Sequence, residues 1–111
     1  MTAINLAEAL DVVERVHGIS LGESRAVVTA LEREVRVLPV READAWKAAE
    51  LRAKYYDRRV RAISIADCVL VGASSPADVI ATSDGGVISV ARAEGLGVIP
   101  LLDSSGRHPA A

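Results

Sequence analysis

The sequence predicts a mixed α/β fold with parallel strands and helices on both faces of the sheet. Apolar residues recur at helical spacing in five segments. Short Val- and Ile-rich runs fall between those segments, not beside one another. Strands separated by helices pair in parallel, because an antiparallel pair closes with a short turn and a parallel pair needs a crossover.

The first helix starts near Asn5, where Leu6, Leu10, Val13 and Val16 repeat at helical spacing and Gly18 supplies a C-terminal stop. Ser20 with Glu23 has capping-box spacing and opens a second helix over 21–34. Val35, Val37 and Val40 alternate with Arg36 and Pro39, which reads as a short strand over 35–40 ending or edged at the proline. A third helix is predicted over 42–56, with Trp46, Ala49 and residues 51–53 as its apolar side and Trp46 in the core or at a dimer interface. A basic connection follows, and Ser64 opens a fourth helix over 65–73 that is apolar almost all round. A Ser-Ser-Pro turn leads to a strand over 79–82, a fifth helix over 87–94 ending at Gly95, and a last strand over 98–101. Residues 1–102 read as one domain and 103–111 as a flexible polar tail. A parallel sheet of this kind usually has a strand before its first helix, so a further N-terminal strand is expected upstream of this sequence.

The 111 residues suffice for one core. That core must be aliphatic, because the chain has no Phe, one Trp and two Tyr. The net charge of -2 gives no whole-molecule attraction to nucleic acid, so any such binding needs a local patch. Cys68 is the one cysteine, which excludes an internal disulfide and fits a reducing compartment. With no leader-like start and no long apolar run, the expectation is a cytoplasmic protein with no membrane contact.

Asp67 is the only charge between Ile63 and Ala77, in a helix whose composition argues for burial. Composition alone favours a helix-start role, because Ser64 and Asp67 have N-cap and N3 spacing. Asp84 stands just past a strand and before a helix, where open parallel sheets bind ligands, and equally where a helix takes an Asp cap. Glu8, taken alone, reads as a solvated charge on an amphipathic helix. Arg52, Lys54, Arg58, Arg59 and Arg61 form a basic stretch around Tyr55 and Tyr56. It suits an RNA backbone with unpaired bases, and equally a solvated helix end.

Together these contexts resemble a known family. Asn5-Leu6-Ala7-Glu8 opening a helix, Ser64-Ile65-Ala66-Asp67-Cys68 opening a later one, and Ala81-Thr82-Ser83-Asp84 ending a strand resemble the PIN domain, and within it the VapC-type toxins of bacterial toxin–antitoxin pairs. The resemblance spans nearly the whole chain, including the closing run Val98-Ile99-Pro100-Leu101. It implies a three-layer PIN-like fold over 1–102 and a ribonuclease that hydrolyses RNA phosphodiesters with Mg²⁺ or Mn²⁺. By the same resemblance Glu8, Asp67 and Asp84 are catalytic metal ligands, and Asn5, Ser64 and Thr82 shape the site. Arg58, Arg59 and Arg61 are candidate RNA contacts. The implied partners are RNA, a cognate antitoxin protein and a second copy in a homodimer.

PIN domains begin with a central strand ending in Asp-Thr or Asp-Ser, whose Asp is a principal metal ligand. This sequence starts after that position, which implies a longer natural protein, a decayed gene or a strand from another chain. It also opens an alternative: a catalytically dead PIN-like binding module that pairs with an antitoxin or with itself.

Overall fold

The computed structural model describes residues 1–109; the last two residues of the predicted tail lie outside the described residues. It holds five helices and a two-stranded parallel sheet, in the order α1 (Ala3–Arg15), α2 (Leu21–Leu31), α3 (Glu42–Tyr55), α4 (Ile65–Ala73), β1 (Val79–Thr82), α5 (Gly85–Ala93) and β2 (Gly97–Pro100). The mixed α/β class is therefore the one the sequence predicts. No described helix is long and apolar enough to cross a membrane. The chain divides into two units, Met1–Arg41 and the chain from Glu42 on.

In the first unit α1 starts two residues earlier than its apolar spacing suggests, because Thr2 caps it. Thr2 Oγ1 accepts from Asn5 N (3.2 Å), and Asn5 Oδ1 accepts from Thr2 N (3.0 Å). This is a capping box with Asn in the place usually held by Glu or Gln. Gly18 ends the α1 region with φ +68°, a conformation natural to glycine. Ser20 caps α2 by accepting from Glu23 N (3.1 Å). That helix stops at Leu31, short of the expected Glu34. Its next turn carries Glu32 and Glu34, acids that oppose the negative end of the helix dipole.

The strand expected over 35–40 is not formed. Leu38 makes one isolated parallel bridge to Thr2, in which Leu38 N donates to Met1 O (2.8 Å) and Ala3 N donates to Leu38 O (2.9 Å). The pairing stops there because α1 takes the backbone out of extended conformation at Ala3, and Pro39 has no N–H to offer.

The second unit holds the core. Leu51, Ile63, Cys68, Val69, Ile80, Val87 and Val90 are buried together, with Ala48, Val71 and Ala91. α3 packs on α4, α4 on α5, and α5 on both strands. β1 and β2 pair in register from Val79↔Gly97 to Thr82↔Pro100. Ile80 and Val98 turn toward this core, while Val79, Ala81 and Ile99 on the alternate positions are exposed. Among the described residues of the second unit, helices are thus packed on one face of these strands, whereas helices on both faces were expected. α3 also differs from expectation. Its buried residues are Asp44, Ala48 and Leu51, with Tyr55 half-buried, and Trp46 is 68% exposed. The spacing 44–48–51–55 is a helical face as regular as the one read through Trp46, and α4 packs on it.

Candidate functional site

Two of the three singled-out acids open helices of the second unit. Ser64 is the N-cap of α4, and its Oγ accepts from Asp67 N (3.1 Å). Asp67 itself is half-buried in the first turn, beside the fully buried Cys68. Burial pushes the Cys68 thiol above its ordinary pKa, which disfavours the thiolate and suits a side chain packed as a small hydrophobe.

Asp84 follows the carboxyl end of β1 and is the N-cap of α5. Its Oδ1 accepts from Val87 N (2.9 Å), and its own N–H donates to Thr82 Oγ1 (3.1 Å). Thr82 also receives Leu101 N on its carbonyl (2.8 Å), so one residue joins the loop to both strands. With the cap in place α5 begins at Gly85, although two glycines are poor helix starters. At Gly86 the fit is tight: a Cβ there would lie 3.1 Å from Asp84 Oδ1, so the capping carboxylate would have to shift by a few tenths of an ångström, and in ordinary contact, 3.8 Å, with Arg61 Cγ. The stem of Arg61 therefore lies near Gly86 at the start of α5.

Arg61 closes a tight turn over 57–61. Asp57 and Arg61 exchange backbone bonds (2.9 and 2.7 Å), and Asp57 Oδ1 accepts from Arg59 N (2.8 Å) and Val60 N (3.0 Å). The Arg59 and Val60 amides hold the Asp57 carboxyl below its usual pKa. Arg58 and Arg59 are exposed on this turn, while Arg61 is half-buried with its guanidinium 5.4 Å from the Tyr55 ring centre.

Glu8 is exposed on α1, in the first unit. Asn5 is held in the Thr2 capping box. Carboxylates are the donors that Mg²⁺ and Mn²⁺ take. Among the described residues, however, no three His, Cys, Asp or Glu side chains gather to hold a metal ion. Glu8 belongs to the first unit, and Asp67 and Asp84 to the second, where they open two different helices.

One cluster escaped the sequence reading. Glu94, at the end of α5, accepts from Tyr55 Oη (2.6 Å) and pairs with Lys54 and Lys47, each at 3.4 Å. The Tyr55 bond, with the lysines, holds the Glu94 carboxyl below its ordinary pKa. Tyr55 and Glu94 lie 39 positions apart. Local spacing therefore carried no signal of the pair.

No protein-family model, no curated protein and no solved structure matches the chain.

Proposed function

We propose that this chain is a PIN-like, RNA-directed protein that hydrolyses RNA phosphodiester bonds with Mg²⁺ or Mn²⁺. One observation carries the reading: Asp84 caps a helix at the carboxyl end of a parallel strand, and the stem of Arg61 reaches the start of that helix at Gly86. That is where open α/β sheets bind ligands. The basic turn over 57–61 supports an anionic substrate, since phosphate contacts dominate nucleic-acid affinity. In this reading Asp67, Asp84 and Glu8 are the metal ligands. The bound metal would activate water and neutralise charge on the phosphoryl oxygens.

The test is Mn²⁺-dependent cleavage of a mixed structured RNA by the full chain, with Asp84→Asn and Asp67→Asn. Asn still caps a helix, so Asp84→Asn removes the charge and spares the fold. Each substitution is expected to abolish cleavage. Unchanged cleavage in both variants overturns the assignment of these acids.

A specific observation favours a second reading, a catalytically dead PIN-like module that binds an antitoxin or a second copy of itself. No three His, Cys, Asp or Glu side chains gather among the described residues, and α1 and α2 bury no apolar side chain. A folded chain that cleaves no RNA but elutes as a dimer, or retains a small partner protein, supports this reading over the first.

A further inference from the structure

Tyr55 and Tyr56 are adjacent in sequence and opposite in circumstance. The Tyr55 hydroxyl is spent on Glu94, and its ring is flanked by Lys54 (5.0 Å) and Arg61 (5.4 Å). Tyr56 is 43% exposed and bears the Arg52 guanidinium 4.5 Å from its ring centre. Arg52 is itself anchored, its Nε donating to Ile63 O (3.3 Å). An aromatic ring and a planar cation are thus held together at the surface, before any ligand arrives. They line an open pocket of about 360 Å³ with Ala49, Ala53 and Ile65. Ile65 is in the first turn of α4, two residues from Asp67.

The pocket's composition selects its occupant. Ala49, Ala53 and Ile65 give it apolar lining, and its other two members, Arg52 and Tyr56, are side-chain types on which bases stack. The segment that supplies Arg52 and Tyr56 is basic: residues 52–61 carry Arg52, Lys54, Arg58, Arg59 and Arg61 against Asp57. A ligand with a flat apolar face and an anionic chain satisfies both features.

We propose that this pocket binds an unpaired nucleobase of single-stranded RNA, stacked with Tyr56 and Arg52, while Arg58 and Arg59 hold the adjoining phosphates. The proposal rests on the RNA reading above and assigns its strand-binding subsite. A base inside a duplex is already stacked on its neighbours and does not enter the pocket, so the subsite selects single strands.

The experiment is fluorescence anisotropy of a short labelled oligouridine with the full chain in EDTA, where no cleavage occurs. The same RNA annealed to its complement serves as the competitor. Tyr56→Ala is expected to weaken single-strand binding about 5- to 150-fold, the range for loss of one base–aromatic stack. Tyr56→Phe is expected to retain binding within about twofold, because the stack needs the ring and not the hydroxyl. An oligomer with abasic positions is expected to bind the wild type as weakly as oligouridine binds Tyr56→Ala. Thermal unfolding checks that both variants are folded. Equal binding by wild type and a folded Tyr56→Ala overturns the pocket and leaves the RNA reading standing. Duplex binding as tight as single-strand binding overturns it too. A wild type that binds no RNA overturns both.

Discussion

Glu94 carries the most specific polar contact in the second unit, and it yields a pH prediction. Its side chain is 17% exposed, whereas the Lys47 and Lys54 side chains are 48% and 64% exposed. The lysine pairs are therefore screened, and the 2.6 Å bond from Tyr55 dominates. Glu94→Gln or Tyr55→Phe is expected to cost about 1–3 kcal/mol, the range for a hydrogen bond to a charged group. Because the folded pKa of Glu94 is lowered, its contribution is complete above the ordinary carboxyl value of the unfolded chain and is lost as pH falls through the lower folded value. Urea unfolding of wild type and Glu94→Gln should therefore differ at neutral pH and converge in acid. At Asp84 the expected outcomes separate cap from charge. Asp84→Ala should cost about 1 kcal/mol in urea unfolding through loss of the cap, and Asp84→Asn much less.

At the scale of the element, α3 and α4 approach closely at Gly72. A Cβ there would lie 3.1 Å from Lys47 Cγ and 3.3 Å from Lys47 Cβ, atoms close to the α3 backbone that cannot swing away. Gly72→Leu is expected to push the helices apart and destabilise by about 1–3 kcal/mol, the usual cost of overpacking, measured as a lower urea midpoint. Gly95 makes a different demand. Its φ of +78° turns the chain from α5 into β2, and nothing lies within 4 Å of a Cβ placed there, so Gly95→Ala is costly through backbone strain alone. Both turn glycines were legible, because a glycine after a helical repeat has few other reasons to be there. The buried face of α3 was not. Its repeat is Ala-rich on several sides, and Asp44 stands on the buried one, so the position of α4 decides which stripe is inside.

At the scale of the whole molecule the two units are built differently. Helices α1 and α2 bury only Ser24 between them, and Val12, Val16, Leu21 and Val27 are exposed. The second unit buries a contiguous aliphatic core. Local opening costs least where few apolar side chains are buried. Amides of α1 and α2 are therefore expected to exchange with deuterium well before those of α4 and α5, and equal protection in both would contradict this. The same contrast separates substitutions. Leu51→Ala, at 2% exposure, should cost about 2–5 kcal/mol in urea unfolding, and Val27→Ala less than about 0.5 kcal/mol.

What the sequence determined by itself is whatever depends on neighbours along the chain. Ser20, Ser64 and Asp84 cap the helices that follow them, and Gly18 and Gly95 turn the chain, because these bonds and dihedrals span a few residues. The strand over 79–82 was readable for the same reason, as a Val/Ile run between turns. Only the tertiary structure decided that Leu38 makes a single bridge, that Trp46 faces solvent, that Tyr55 is tied to Glu94 while Tyr56 stays open, and that Glu8 stands in a different unit from Asp67 and Asp84. Pairing, facing and gathering join residues tens of positions apart, and one sequence holds no local signal of which distant surface each side chain will meet.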